Sequence, residues 1–163
     1  MTPNLEDELS LLHTSQTECL ACRISNAAAP GDVICLAGDL GSGKTTFARA
    51  FIRARAAQAG IEIGDVPSPT FTLVQLYELP GGHIWHFDLY RLNHSHEAME
   101  LGIDDASRNG ICLVEWPDRL PELTFSTRLD LTFEFGGPED TRHVKIIGDG
   151  SWRERIAEVL QSE

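Results

Sequence analysis

The stretch GDLGSGKT at residues 38–45 decides the fold class, because it matches the phosphate-binding pattern GxxxxGK(S/T) at every fixed position. The apolar run at residues 33–37 precedes it and is typical of a strand buried on both faces. From Thr45 onwards, apolar residues recur at helical spacing, and Gly60 stands where such a helix would end. Strand, loop and helix in this order form the context in which the pattern becomes a P-loop.

Each part of this loop has a chemical reason to be there. Glycines let the backbone fold tightly around an anion and turn several N–H groups inward. The helix that starts near Lys44 adds the positive end of its dipole. Lys44 would reach the β- and γ-phosphates of a nucleotide, while the Thr45 hydroxyl would bind Mg²⁺. The loop therefore predicts a nucleoside triphosphate site with a magnesium ion.

The magnesium ion of a P-loop also needs an acid at the end of a neighbouring strand. Two strand-like runs end in a carboxylate, at Asp88 and at Glu115, and the sequence leaves open which of them serves. Ser68 and Thr70 lie on a loop that either senses the γ-phosphate with a hydroxyl or forms a plain turn. Arg91 either pairs with Asp88 or stabilises phosphate charge.

The remaining pattern predicts an α/β fold. A first helix is indicated by a capping box at residues 15–18, and a last helix by a capping pattern that begins at Ser151. Further strands are predicted at residues 71–79, 83–90, 111–114, 129–135 and 144–147. We expect a single P-loop domain over residues 1–163, a three-layer sandwich with a mixed, mostly parallel sheet and helices packed on it.

The charge balance excludes some functions. Thirteen basic and 25 acidic residues give a formal charge of −12, and such a surface repels phosphate backbones. Tight autonomous binding of nucleic acid is therefore not expected. The acidic N-terminus does not resemble a signal peptide, and no apolar run approaches the roughly 20 residues that span a bilayer. We expect a cytoplasmic protein without membrane contact.

Three classes of P-loop protein compete for this sequence. A guanine-nucleotide switch would read its base with NKxD, but the sequence contains no Asn-Lys pair. A small-molecule or nucleotide kinase would usually carry a basic lid, yet only Arg119 and Arg128 follow Glu115 before Arg142. The third class is a small ATPase that regulates a partner. The kinase remains the alternative.

Five segments, taken in order, resemble the TsaE family of small P-loop ATPases in bacterial tRNA threonylcarbamoyladenosine biosynthesis. They are GDLGSGKTTFAR at 38–49, SPTFTLV at 68–74, HFDLYRL at 86–92, ELGIDD at 100–105 and VEWPD at 114–118. The resemblance implies a protein that binds ATP and Mg²⁺, hydrolyses ATP slowly alone and acts with TsaB and TsaD. That complex transfers a threonylcarbamoyl group, made by TsaC, to the adenosine next to the anticodon of ANN-decoding tRNAs. The TsaE-like subunit would not transfer the group itself and would meet tRNA only through the complex.

The resemblance also implies roles for individual residues. Thr45 and Glu115 would bind Mg²⁺, and Asp88 fits the Walker-B-like acid. Thr14 would contact the nucleotide base, and Trp116 falls at a functionally important tryptophan. Together with the loop chemistry, the residues expected to contact the nucleotide are Thr14, Asp39, Gly41, Ser42, Gly43, Lys44, Thr45, Thr46, Ser68, Thr70 and Trp116. The expected catalytic residues are Lys44, Asp88 and Glu115, and the expected metal ligands are Thr45, Glu115 and Asp88.

Overall fold

The computed structural model describes residues 6–120 and 125–161, which form one mixed sheet flanked by helices. The strands are β1 (Glu6–Leu11), β2 (Val33–Gly38), β3 (Val74–Tyr77), β4 (Ile84–Asp88), β5 (Ile111–Glu115), β6 (Arg128–Phe135) and β7 (Arg142–Gly148). The α-helices are α1 (Thr14–Ala27), α2 (Lys44–Gln58), α3 (Ser95–Glu100), α4 (Ile103–Asn109) and α5 (Trp152–Gln161). A short 3₁₀ turn, Pro117–Arg119, follows β5.

The strands pair in the order β1-β7-β6-β2-β5-β4-β3. The central strands β6, β2, β5 and β4 run parallel to one another. By contrast, β7 and β1 at one end, and β3 at the other, pair antiparallel. The predicted mixed sheet with a parallel centre is confirmed. Because parallel strands end at the same edge, the ends of β2, β4 and β5 bring Gly38, Asp88 and Glu115 to one place.

Two apolar layers, one on each face of the sheet, confirm the three-layer sandwich. Ile34 and Leu36 of β2 belong to the cluster completed by α1, α2 and α5. Their neighbours Val33 and Cys35 belong to a second cluster, with α3 and α4 on the opposite face. All four side chains are at most 1% exposed. The strand that leads into the P-loop pattern is therefore buried on both faces, as its continuous apolar run predicted.

The helix α2 follows the loop directly and ends where the sequence indicated. Gly60 has φ +74°, a left-handed conformation that suits glycine. The amide of Ile61 donates to the carbonyl oxygen of Ala56 at 2.9 Å, which closes the helix. Over the described part of the chain, none of the helices is long and apolar enough to span a membrane.

The hairpin of β3 and β4 is confirmed, but its first strand is shorter than predicted. Tyr77 pairs with Ile84 across the turn, while residues 71–73 form a turn of their own instead of a strand. Leu73 has φ +69°, and its amide donates to the carbonyl oxygen of Pro69 at 2.7 Å. The carbonyl of Leu73 in turn accepts the amide of Asp88 at 2.9 Å. This turn fixes the segment at residues 68–70 beside the end of β4.

The start of the chain differs from the sequence prediction. The helix α1 begins at Thr14, after an N-cap at His13 that makes no side-chain capping hydrogen bond, so the capping box at residues 15–18 is wrong. Gln16 makes the side-chain hydrogen bond at this end of the helix, because its Oε1 accepts the amide of Leu12 at 2.5 Å. The helix starts one residue before Ser15, which places that residue inside the first turn.

The edge strand β1 was not predicted, because its sequence EDELSL is half acidic. It pairs antiparallel with β7, and Leu9 stands opposite Val144. Glu6 and Glu8 are exposed along this edge. Charged residues are common on edge strands, where they prevent pairing with another chain.

Candidate functional site

The P-loop pattern forms a tight turn between the end of β2 and the start of α2. At Gly38, φ is +140°, and an added Cβ would come within 2.5 Å of the carbonyl oxygen of Phe133. At Gly43, φ is +114°, and the carbonyl of this residue accepts the amide of Phe47 at 3.0 Å. Only glycine satisfies both positions without strain. The loop therefore returns the chain directly into the first turn of α2.

Lys44 spans this loop from the first residue of α2. Its side chain is buried, and Nζ donates to the carbonyl oxygens of Gly38 at 2.5 Å and Asp39 at 2.8 Å. The ammonium also lies 4.2 Å from the centre of the Trp116 ring. Burial lowers the pKa of Lys44, while the carboxylates of Glu115 and Asp88 act in the opposite direction. An anion bound in the loop would add to that second effect and stabilise the charged ammonium.

The carboxylate of Glu115 contacts the P-loop helix directly. Its Oε1 accepts a hydrogen bond from the Thr45 hydroxyl at 2.8 Å, and its Oε2 accepts one from Nε2 of His86 at 2.7 Å. Glu115 is only 2% exposed. It therefore lies under the loop as an oriented acceptor at the end of β5.

Asp88 lies beside Glu115, since the two residues are direct partners in the β4–β5 ladder. Its Oδ1 accepts the amide of Tyr90 at 3.0 Å, and its Oδ2 accepts the Thr70 hydroxyl at 3.3 Å. The Ser68 and Thr70 hydroxyls are 2.8 Å apart. A chain of hydroxyls therefore links the loop at residues 68–70 to the second acid of the site.

Arg91 does not take the position that pairing with Asp88 would require. Its guanidinium lies over the ring of Phe71, 4.6 Å from the ring centre. Phe71 is 78% exposed. The backbone of Trp116 has a strained φ of +61°. Its ring contacts two neighbours, with its centre 4.2 Å from the Lys44 ammonium and 4.8 Å from the centre of the Tyr90 ring.

A cavity of about 210 Å³ opens over the loop and is lined by most of the site residues that the sequence predicted. The predicted residues that line it are Thr14, Gly41, Gly43, Lys44, Thr45, Thr46, Ser68, Thr70, Asp88, Glu115 and Trp116. Two others do not. The side chain of Asp39 is exposed to solvent, and Ser42 is fully buried, so neither side chain faces the cavity.

Four residues that the sequence did not single out also line the cavity: Thr17, Leu40, Asp140 and Arg142. Arg142, at the start of β7, donates from Nε to the carbonyl oxygen of Ser42 at 3.1 Å and from Nη2 to that of Gly41 at 3.2 Å. It therefore supports the P-loop from a position about 100 residues away in sequence. No short motif marks such a contact, because it arises only when β7 joins the sheet.

The oxygen atoms beside the loop suit a hard divalent cation. The Thr45 hydroxyl and the two carboxylates provide them, and Mg²⁺ is usually held by one or two carboxylates together with substrate phosphates. Among the described residues, no group of three or more His, Cys, Asp or Glu side chains could enclose a metal ion. Mg²⁺ usually keeps several waters and oxygens of substrate phosphates in its shell, so a cation here would take its remaining ligands from those sources.

The chain is a P-loop protein of the α/β class. It has a buried parallel strand followed by a GxxxxGK(S/T) loop and a helix, with an acid on each of two neighbouring strands. The family model described as "Threonylcarbamoyl adenosine biosynthesis protein TsaE" matches residues 11–144. The chain belongs to the TsaE family of tRNA threonylcarbamoyladenosine biosynthesis proteins. The family predicted from the five sequence segments is confirmed.

Individual relatives agree over most of the chain. The TsaE protein of Bacillus subtilis is 35% identical over 151 residues, which cover 91% of this chain and 90% of the relative. The TsaE protein of Haemophilus influenzae is 38% identical over 120 residues, 71% of this chain and 69% of that protein. The crystal structure of Bacillus subtilis YdiB superimposes with a TM-score of 0.73 at 28% identity and covers 99% of this chain and 98% of its own. The likeness therefore extends to the whole fold.

Proposed function

We propose that this chain binds ATP with Mg²⁺ over the P-loop, hydrolyses it slowly and acts as the ATPase subunit beside TsaB and TsaD. Together they would place threonylcarbamoyl on the adenosine next to the anticodon of ANN-decoding tRNAs, in the cytoplasm. The observation that carries the proposal is the contact between Thr45 and Glu115. It places a buried carboxylate against the hydroxyl that follows the P-loop lysine, where a nucleotide-bound cation needs oxygen ligands.

The residues of the site have different roles in this proposal. The loop amides and Lys44 bind the phosphates, and Thr45 with Glu115 holds the cation, which when bound neutralises charge on the phosphates. Asp88 orients water or a water ligand of the cation. Because Thr70 contacts Asp88, the loop at residues 68–70 is able to respond to what occupies the site.

The charge of the protein supports docking on protein rather than on tRNA. With a formal net charge of −12, the chain repels a phosphate backbone, so the basic surface that tRNA needs would lie on another subunit. A small-molecule or nucleotide kinase is the other candidate for a P-loop of this kind. The family membership favours the ATPase, since the TsaE family works in tRNA modification.

The isolated chain is expected to turn over slowly. Arg91 lies over Phe71, and Arg142, which is the arginine lining the cavity among the described residues, donates to the carbonyls of the loop, so both guanidiniums have other partners. A P-loop without an arginine aimed at the γ-phosphate loses about 10³–10⁵ in rate. Single-turnover phosphate release by the purified chain should therefore fall far below the ~1–10³ s⁻¹ of typical enzymes.

Addition of TsaB and TsaD should raise that rate by completing the site or by ordering the loop at residues 68–70. Fast hydrolysis by the chain alone would reveal a catalytic group that the structure does not indicate. Phosphorylation of a small metabolite, without stimulation by TsaB and TsaD, would favour the kinase.

Arg142→Ala should weaken ATP binding by about 10-fold, because it removes two hydrogen bonds from a charged donor to the loop. The measurement is a fluorescence titration with an ATP analogue. Arg108→Ala is the control, since Arg108 is 66% exposed on α4 and pairs with Asp104 at 2.8 Å. Equal affinities of wild type and Arg142→Ala would show that the loop keeps its shape without this support.

A further inference from the structure

His86 lies behind the site without lining the cavity. It stands two residues before Asp88 on β4, so the two side chains point to the same face of the sheet, toward α2. Its side chain is fully buried. Neither the loop pattern nor the family segments give this histidine a role of its own.

The contact with Glu115 fixes which atom carries the proton. An ionised carboxylate has only acceptor oxygens, so in this contact Nε2 of His86 is the donor to Oε2, while Oε1 accepts the Thr45 hydroxyl. At 2.7 Å this is a short hydrogen bond to a charged acceptor, a strong type. The imidazole therefore holds one oxygen of the carboxylate while the other faces the P-loop helix.

Packing alone does not explain a histidine at this position. Its Nδ1 is buried and has no hydrogen-bond partner among the described residues. A buried polar atom without a partner is costly, and a leucine would fill the same space without that cost. The Nε2 bond to Glu115 is the feature that a leucine could not supply.

We propose that His86 is a positioning residue for the cation site: it holds Oε2 of Glu115 so that Oε1 faces Thr45 and the cavity. The proposal deepens the proposed function and rests on it. Partners that orient metal-binding groups typically change metal affinity by about 10–100-fold when removed. A carboxylate without this bond would rotate and spread over several orientations.

Two substitutions separate the hydrogen bond from the volume of the ring. His86→Leu keeps an apolar side chain of similar size and removes the donor, while His86→Gln keeps an N–H group at a similar reach. His83→Leu is the control, since His83 is exposed immediately before β4. Binding of a fluorescent ATP analogue is titrated with Mg²⁺ at fixed pH, and repeated in EDTA. Thermal unfolding reports whether each variant is folded.

His86→Leu should raise the Mg²⁺ concentration at the midpoint by about 10–100-fold and leave the affinity in EDTA unchanged. His86→Gln and His83→Leu should stay close to wild type. A folded His86→Leu with the wild-type midpoint would overturn the proposal, and so would His86→Gln if it were as impaired as His86→Leu.

If His86→Leu does not fold, His86→Asn takes its place, because its shorter amide cannot reach the carboxylate that Gln reaches. Equal midpoints for the Asn and Gln variants would then overturn the positioning role. A wild-type protein that shows no Mg²⁺-dependent binding at all would contradict the proposed function. Normal Mg²⁺ dependence in wild type, unchanged by the substitutions at His86, would contradict only the positioning role.

Discussion

Lys44→Ala is expected to lower the rate of ATP hydrolysis by at least about 10²-fold, while the protein remains folded. The Lys44 ammonium contacts backbone carbonyls of the loop and the Trp116 ring, and it takes no part in either apolar cluster. Its loss removes the positive charge that would reach the β- and γ-phosphates. Phosphate release measures the activity, and circular dichroism with thermal unfolding measures the fold.

The chain offers a matched control, because Lys145 is the only other lysine in the sequence. It lies on β7 with its side chain 41% exposed and its Nζ 3.7 Å from Glu134. Lys145→Ala should leave both activity and stability close to wild type. Undiminished turnover in Lys44→Ala would contradict the assignment of the P-loop as the site of hydrolysis.

Glu115→Ala is the second substitution expected to have a large effect, about 10²-fold or more on Mg²⁺-dependent hydrolysis. In the proposed site the carboxylate would act through the ion, whereas the loop backbone would bind phosphate directly. Nucleotide binding in EDTA should therefore change much less than binding in Mg²⁺. Removing the acceptor also leaves the His86 and Thr45 donors without their partner, so a loss of about 1–3 kcal/mol in unfolding free energy is expected.

Asp88→Ala provides the comparison that separates the two acids. Asp88 contacts Thr70 and the amide of Tyr90, and it makes no hydrogen bond to the P-loop helix within the described chain. Its removal should lower the rate and shift the Mg²⁺ midpoint less than Glu115→Ala does. If Mg²⁺ titrations of Glu115→Ala match wild type and those of Asp88→Ala do not, the ligand role belongs to Asp88.

The arrangement of the loop and the two acids could be predicted from the sequence because it depends on local patterns. A buried strand, a glycine-rich loop and a helix are each legible over about ten residues, and parallel strands bring their carboxyl ends to one edge. Asp88 and Glu115 could therefore be placed beside the loop from the sequence alone. They lie side by side in the sheet, as that logic required.

Contacts that cross the sheet could not be predicted in this way. Arg142 reaches the loop only because β7 pairs with β6, and His86 contacts Glu115 only because β4 pairs with β5. Loop patterns also do not reveal which way each side chain points. Ser42 and Asp39 fit the motif, yet the turn buries one and exposes the other.

The most direct test of what this chain does is to measure the formation of threonylcarbamoyladenosine in an ANN-decoding tRNA. The reaction contains TsaB, TsaD, the product of TsaC and ATP. The reaction is run with the wild-type chain, with Lys44→Ala and without either. We predict that modification requires the wild-type chain and fails with Lys44→Ala, although both proteins are folded. Modification at the same rate with Lys44→Ala, or without the chain, would contradict an ATP-dependent role for it.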